Sequence, residues 1–198
     1  PDAVELWILD LRSRQRVRVM TNPRWMHDPL WRPGGTSVVL NEYEWTRSTP
    51  IEVSIRSGVA SRPRLDSGAV IGAAEDGSAI AFRSGDRAWV RLRTGERQYL
   101  SPAGRFADFS PDGKYIAWAS QQTGTYEVFV APLGGQKGAG FRVTPFGCLD
   151  PRWTPDSKGI LCQGNDGYLN AVALRFENGE VRGEPPRRVL PVRMLDTP

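Results

Sequence analysis

The sequence predicts an all-β protein, a β-propeller built from four-stranded antiparallel blades. The first observation is a short motif, clearest at residues 109–118 (Phe-Ser-Pro-Asp-Gly-Lys-Tyr-Ile-Ala-Trp), which recurs in altered form at 31–40, 73–82 and 153–162. The second is its period, since the third positions of successive copies are 42 (33 to 75), 36 (75 to 111) and 44 (111 to 155) residues apart. Repeats of about 40 residues with strand content are typical of propeller blades.

Each copy of the motif predicts a β-hairpin. In the clearest copy Phe109 ends a first strand, and the Asp112-Gly113 pair supplies the positive φ angles of a tight turn. The second strand alternates in its apolar residues, so that one face can pack on a neighbouring unit. The aromatic column formed by Trp31, Phe109 and Trp153 is therefore interpreted as packing between blades.

Two further strands follow each hairpin and complete a blade. The third strands are expected at 51–55, 89–93, 126–131 and 168–174, and weaker fourth strands at 98–100, 141–144 and 188–192. This pattern divides a single domain, 1–198, into complete blades at 22–64, 65–101, 102–144 and 145–198. Residues 1–21 are left as the outer strands of an incomplete blade.

The first residues predict an unfinished ring. The segments 5–11 and 15–20 are interpreted as the third and fourth strands of a blade that lacks its inner hairpin. We therefore expect a fragment of a larger ring, with an incomplete last blade that terminal strands would close. The alternative is an open ring or a dimer completed through unpaired blade edges, because such edges invite association.

Composition and charge exclude several classes of protein. The chain has 21 glycines and 16 prolines, and no apolar run approaches the length of a membrane span. The net charge is +4, and only three of the 26 basic residues are lysine. Arg14, Arg16 and Arg18 alternate at strand spacing, as do Arg91 and Arg93, but aromatic residues do not interleave with them as base stacking requires. A solvated face is expected, with no nucleic-acid partner and no membrane insertion.

The two cysteines flank one predicted hairpin. Cys162 occupies the core column shared with Trp118, whereas Cys148 lies near the start of the preceding strand. Their offset is poor for a direct cross-strand bridge. The sequence therefore favours a buried thiol and a separate loop thiol.

A family resemblance rests on these motifs. The segment Ser-Pro-Asp-Gly-Lys-x-Ile-Ala-Trp at 110–118, followed by Gly-Thr-Tyr-Glu-Val-Phe-Val at 124–130, resembles the repeat of TolB-like, WD40-like β-propellers. The last unit, from Asp-Gly-Tyr-Leu-Asn at 166–170 to Arg-Val-Leu at 188–190, is similar to propellers appended to bacterial receptor-like serine/threonine kinases and winged-helix regulators.

The resemblance implies a function class. It is that of a non-catalytic binding or sensing module of a larger bacterial protein, with a protein or peptide partner and an extracytoplasmic or periplasmic location. The alternative is the accessory gating propeller of a prolyl-oligopeptidase-type serine peptidase whose catalytic domain lies outside this chain.

Residues for catalysis are scarce. His27 is the only histidine, and no Gly-x-Ser-x-Gly elbow accompanies it. One histidine and two cysteines cannot fill a tetrahedral zinc site without carboxylates, and no calcium loop or phosphate-binding Gly-x-x-x-x-Gly-Lys-Ser/Thr segment is present. We therefore expect no enzyme activity, no catalytic residue, no metal site and no cofactor.

A candidate ligand site comes from aligning the repeats. One column contains Asp28, Phe106 and Asp150, and the column two residues further on contains Leu30, Asp108 and Arg152. The candidate site residues, at one end of the predicted channel, are His27, Asp28, Asp108, Asp150 and Arg152. Such a ring of charges could hold a peptide terminus, a small polar ligand or an ion. Alternatively, the carboxylates bond backbone amides and hold the register of the blades.

Overall fold

The computed structural model describes residues 3–44, 47–63, 65–66, 68–102, 104–135 and 140–192, and their regular structure consists of strands. The strands are β1 Val4–Leu9, β2 Arg16–Asn22, β3 Met26–Trp31, β4 Ser37–Glu44, β5 Arg47–Ser54, β6 Ala60–Ser61, β7 Ala69–Ala73, β8 Ala79–Ser84, β9 Arg87–Leu92, β10 Arg97–Pro102, β11 Arg105–Phe109, β12 Tyr115–Ser120, β13 Glu127–Pro132, β14 Phe141–Arg142, β15 Cys148–Trp153, β16 Gly159–Gly164, β17 Tyr168–Glu177, β18 Glu180–Gly183 and β19 Arg187–Pro191. Most lie within two or three residues of the strands that the repeat predicts.

The sheets confirm the predicted fold class. The first sheet has two strands, β1-β2, and is followed by four larger antiparallel sheets in the orders β3-β4-β5-β6, β7-β8-β9-β10, β11-β12-β13-β14 and β15-β16-β17-β18. In the fifth sheet β19 also pairs with β17. Strands adjacent in sequence pair with one another, which is the meander of a propeller blade. The blade boundaries within the single domain stay a prediction.

The chain forms two compact units, residues 1–70 and 71–198. The core of the first unit joins Leu6 of the first sheet to five residues of the second sheet: Met26, Val38, Leu40, Ile51 and Val53. A core cluster of the second unit joins the fourth and fifth sheets through eleven buried residues: Ala117, Val128, Val130, Val143, Cys148, Trp153, Ile160, Cys162, Val172, Leu174 and Val181. Within each unit, therefore, apolar sheet faces bury one another, as repeat architectures require.

The turn of each repeat uses a left-handed residue at an equivalent position. Gly35, Gly77 and Gly113 have φ angles of 64°, 70° and 69°, and the fifth sheet places Ser157 there with φ 59°. A serine is strained in this region, whereas glycine is not. The Ser157 hydroxyl accepts a hydrogen bond from the Asp112 amide at 3.1 Å, which gives the departure from glycine a physical reason.

The innermost strands of three sheets share a bulge. Asp28, Phe106 and Asp150 have φ angles of 55°, 47° and 51°, and the strand register shifts at each of these positions. They are the three residues that the repeat alignment places in one column. In the third sheet this column contains Val70, whose N–H and C=O are both bonded by the buried Asn41 side chain at 2.8 and 2.7 Å.

The structure corrects the prediction for the cysteines. Cys148 and Cys162 form a disulfide with a Cα–Cα distance of 5.8 Å, and both are fully buried. Cys148 pairs with Gly164, so no side chain stands opposite it, and it reaches the diagonal neighbour two residues along β16. The prediction was wrong because the offset that separates the two residues in the linear pattern is a diagonal pair on one face of the ladder.

Two further features depart from the sequence analysis. Phe109 and Trp153 are each 7% exposed, as interblade packing requires, whereas Trp31 of the same column is 54% exposed. The β17–β18 hairpin was not predicted, although its turn is the Asn178-Gly179 pair with φ angles of 51° and 79°. This dipeptide is the strongest short-range hairpin signal in a sequence.

Candidate functional site

Asp108 is held by a tryptophan from the neighbouring inner strand. It lies on β11, and its Oδ2 accepts the backbone N–H of Trp153 on β15 at 2.7 Å. The indole N–H of Trp153 donates in turn to the Asp108 carbonyl oxygen at 3.1 Å. The two bonds tie β11 to β15, so that Asp108 performs the register role that the sequence analysis left as the alternative.

The ionisation of Asp108 reflects its burial. Burial has the largest effect and raises the pKa of this carboxyl above its ordinary value, and the charge of Asp150 adds to the rise. The bonds from the Trp153 and Phe109 amides and the charge of Arg152 act in the opposite direction without cancelling it. Ionising the Asp108 carboxyl in this buried position costs free energy, and hydrogen bonds from neighbouring N–H donors offset part of that cost.

Asp150 and Arg152 form a more accessible pair beside Asp108. Both belong to β15, and the Arg152 Nη2 lies 3.0 Å from Asp150 Oδ1, with about half of each side chain exposed. The Asp150 Oδ1 atom is shielded from water, and its contact with Arg152 is an ion pair without hydrogen-bond geometry. A ligand with an N–H donor could satisfy this oxygen after a rotation of the Arg152 side chain.

His27 and Asp28 form a second pair in the first unit. Asp28 accepts a hydrogen bond from His27 Nδ1 at 2.6 Å, and about two fifths of each side chain is exposed. The imidazole lies 5.5 Å from the ring of Tyr43, centroid to centroid. The two predicted residues therefore meet each other, as do the three predicted residues of the second unit.

A cleft of about 430 Å³ adjoins Asp108 in the second unit. Its wall comes from two motif turns and from Trp153, with Glu75, Asp76 and Asp112 as further acidic residues. This cleft was not predicted from the sequence, although the two motif turns that line it carried the repeat. Asp112 is already hydrogen-bonded within its own turn, because its Oδ1 accepts bonds from the Ser110 hydroxyl and the Lys114 amide.

Within the described part of the chain, no three histidine, cysteine, aspartate or glutamate side chains group as they would to hold a metal ion. The same residues contain no helix long and apolar enough to span a membrane.

Comparison with known proteins supports the fold. Neither a protein-family model nor a curated protein matches the sequence. Among solved structures, the chain is similar to TolB from Acinetobacter baumannii, with a TM-score of 0.66 and 15% identity over 95% of this chain. The match spans 50% of that TolB chain, so this chain has about half the length of that relative.

Two other similar structures belong to proteins of different kinds. One is from a nidogen/laminin complex, with a TM-score of 0.60, 14% identity and coverage of 86% of this chain and 70% of that one. The other is an oligogalacturonate lyase in complex with manganese, with a TM-score of 0.53, 14% identity and coverage of 90% and 52%. At these identities the likeness establishes the β-propeller fold, while function has to be argued from the site.

Proposed function

We propose that this chain is a non-catalytic binding module of a larger bacterial protein, and that its partner is a protein or peptide. The observation that carries the proposal is the half-exposed Asp150–Arg152 ion pair, in which a shielded carboxylate oxygen contacts the guanidinium without hydrogen-bond geometry. A peptide amino terminus offers matching chemistry, since its ammonium can donate to Asp150 and the carbonyl oxygen of its first residue can accept from Arg152.

The backbone around the pair supports a recognition role. Asp150 has φ 51° at a bulge, a conformation that bulges use to direct a side chain away from the regular ladder. One residue beyond Arg152, the strand is anchored by Trp153 through its two hydrogen bonds to Asp108 on β11. A rigid strand with one side chain turned outward by a bulge can present charge to a partner at a small entropic cost.

The experiment compares two double variants on an array of synthetic peptides with free amino and carboxyl termini. Asp150→Asn keeps the shape of the side chain and tolerates the left-handed backbone, and Arg152→Gln replaces the guanidinium by a shorter neutral amide. Glu180→Gln with Arg182→Gln is the matched control, because that exposed ion pair has a 2.7 Å contact on the hairpin of the fifth sheet.

We expect the Asp150/Arg152 variant to lose at least tenfold in affinity for the peptides that the wild type binds, as for the loss of charged hydrogen bonds. The control should retain them. Blocking the peptide amino termini by acetylation should reproduce the loss. If the folded Asp150/Arg152 variant binds the same peptides with unchanged affinity, the proposed site is wrong.

We further propose an extracytoplasmic location. The support is the buried Cys148–Cys162 disulfide, because disulfides persist in oxidising compartments and are rare in the cytosol. Acid quenching of the producing cells, followed by denaturation and alkylation, should leave both cysteines unmodified unless a reductant is added. Complete alkylation without reductant, read by mass spectrometry, would contradict this location.

A further inference from the structure

An arginine-bearing strand edge lies in the first unit, whereas the proposed site belongs to the second. The edge consists of Arg16, Val17 and Arg18 at the start of β2, all exposed. Among the strands that the structure describes, β2 pairs with β1 and with no other. The other side of the strand therefore presents backbone donors and acceptors, which is the surface that an added strand uses.

The hydrogen-bond pattern shows which residues face the open side. The Asp10 amide donates to the Gln15 carbonyl, and Ile8 stands opposite Val17. Because hydrogen-bonded and non-hydrogen-bonded pairs alternate along antiparallel strands, Val17 directs its backbone groups toward β1. Arg16 and Arg18 therefore direct theirs toward the open side.

The side chains of these two arginines are organised by one tryptophan. The guanidinium carbons of Arg16 and Arg18 lie 5.2 and 6.0 Å from the centre of the Trp7 ring, within the range of cation–π attraction. Glu5 accepts bonds from Arg18 at 2.7 Å and from the Trp7 indole at 3.0 Å. These contacts place both guanidinium groups on one face of the sheet.

The charge of this edge is largely uncompensated. Among the described residues, Arg12, Arg14 and Arg16 have no carboxylate within ion-pair distance, whereas Arg18 has Glu5. Arg14 does not share the face as predicted, because it lies before β2 with φ 58°. It adds positive charge at the hairpin turn, next to the ordered pair Arg16 and Arg18.

We propose that the β2 edge binds an extended acidic peptide segment as an antiparallel added strand. Side chains on one face of a strand repeat about every 6.7 Å, so acidic residues at alternate positions would stand opposite Arg16 and Arg18. Beyond Arg18 the strand is covered, since the turn at Gly58 lies against the Val19 carbonyl. The occupied segment is therefore short and centred on Val17.

The test uses fluorescence anisotropy with labelled peptides of equal composition and the whole chain. In the first peptide glutamate and threonine alternate, and in the second pairs of glutamates alternate with pairs of threonines, so that no two glutamates are two positions apart. We expect the alternating peptide to bind about tenfold more tightly, since only it can place one glutamate opposite Arg16 and another opposite Arg18. Equal affinity would show that charge alone attracts the peptides and would overturn the added strand.

Methylation of peptide nitrogens tests the backbone bonds. In the proposed pairing the glutamates oppose Arg16 and Arg18, so the glutamate amides point at β2 and the threonine amides point away. N-methylation at the glutamates should abolish binding, while N-methylation at the threonines should preserve it. If both methylated peptides behave alike, the peptide does not pair with the edge.

Variants locate the surface. Arg16→Gln with Arg18→Gln should weaken the alternating peptide at least tenfold, whereas Arg175→Gln with Arg182→Gln, an equal loss of exposed charge in the second unit, should leave it unchanged. Oligothymidine serves as a nucleic-acid probe, and tighter binding of it than of the alternating peptide would overturn the proposal. The Asp150/Arg152 variant should bind the acidic peptide normally, so failure here is distinguishable from failure of the proposed function.

Discussion

Trp31 and Trp153 occupy the same position of the repeat, but the molecule uses them differently. Trp153 is buried and donates two hydrogen bonds to Asp108, an inner-strand residue of the preceding sheet. Trp31 is 54% exposed, and the sheet that precedes it within the first unit has two strands, β1 and β2, among the described residues. A repeat position thus acquires its role from the adjacent sheet, because a propeller blade buries its apolar face only against a neighbour.

The two units also fill one pair of core positions differently. Cys148 and Cys162 form a disulfide in the second unit, whereas Met26 and Leu40 occupy the aligned positions in the first unit and are both buried in its core. The same two positions of the repeat are therefore joined by a covalent bond in the second unit and filled by apolar side chains in the first. The disulfide constrains the unfolded chain as well as the folded one.

The largest expected effect concerns the difference between Trp153 and Trp31. Trp153→Ala should lower the free energy of unfolding by about 4 kcal/mol, since it removes a buried ring and the indole bond to the Asp108 carbonyl. Trp31→Ala should change it by about 0.5 kcal/mol, as at an exposed position. Urea unfolding followed by circular dichroism measures both. Similar losses for the two variants would mean that Trp31 is also buried in solution.

The next effect concerns the disulfide. Cys148→Ala with Cys162→Ala should cost about 3 kcal/mol, the value for closing a loop of similar length to the 14-residue separation here. Reduction of the wild type under denaturing conditions, followed by refolding in reductant, should give a comparable loss. A variant as stable as the oxidised protein would show that packing alone sustains this pair of positions, as Met26 and Leu40 do.

A smaller effect is the pH dependence of the contributions that two buried carboxyls make to stability. In the first unit Glu42 is 7% exposed and accepts bonds from Arg24, Arg62 and Asn22. Burial, the largest single influence, opposes its ionisation, but the bonds from Asn22 and Arg62 and the charges of both arginines together lower the pKa of Glu42. Burial instead raises the pKa of Asp108 in the second unit.

The two pKa shifts have opposite consequences. The stabilisation from Glu42 is present above its unfolded pKa and is lost as the pH falls through the lower folded pKa. For Asp108, the contribution is most favourable below its unfolded pKa and is lost as the pH rises through the raised folded pKa. Glu42→Gln should cost about 2 kcal/mol at neutral pH and remove part of the acid-induced loss of stability. Asp108→Asn should remove the loss of stability that Asp108 causes as the pH rises. Urea unfolding across the acidic range measures both variants.

The smallest effect lies in the turns. Ser157→Ala should cost about 1 kcal/mol, because it keeps the left-handed backbone strain and loses the bond to the Asp112 amide. Ser157→Gly should cost less, because the relief of strain offsets the lost bond. Thermal unfolding of the two variants gives the comparison. If the alanine variant is the more stable one, the hydroxyl is not what holds serine at this turn.

The repeat alone determined the all-β class, the number of complete sheets and most strand positions. Alternation of apolar residues and Asp-Gly turns are local signals, and they act through interactions within a few residues. The column of Asp28, Phe106 and Asp150 was also visible in the sequence, although its left-handed conformation was not.

Tertiary structure decided which residues from different strands meet. The bond from Trp153 to Asp108 spans 45 residues, and the disulfide depends on a diagonal across a ladder whose register a bulge has shifted. Likewise, the exposure of Trp31 follows from the sheet beside it and not from its own motif. Such contacts depend on pairing between segments that are distant in sequence. The free energy of burial comes from these neighbours, and a local sequence pattern does not identify them.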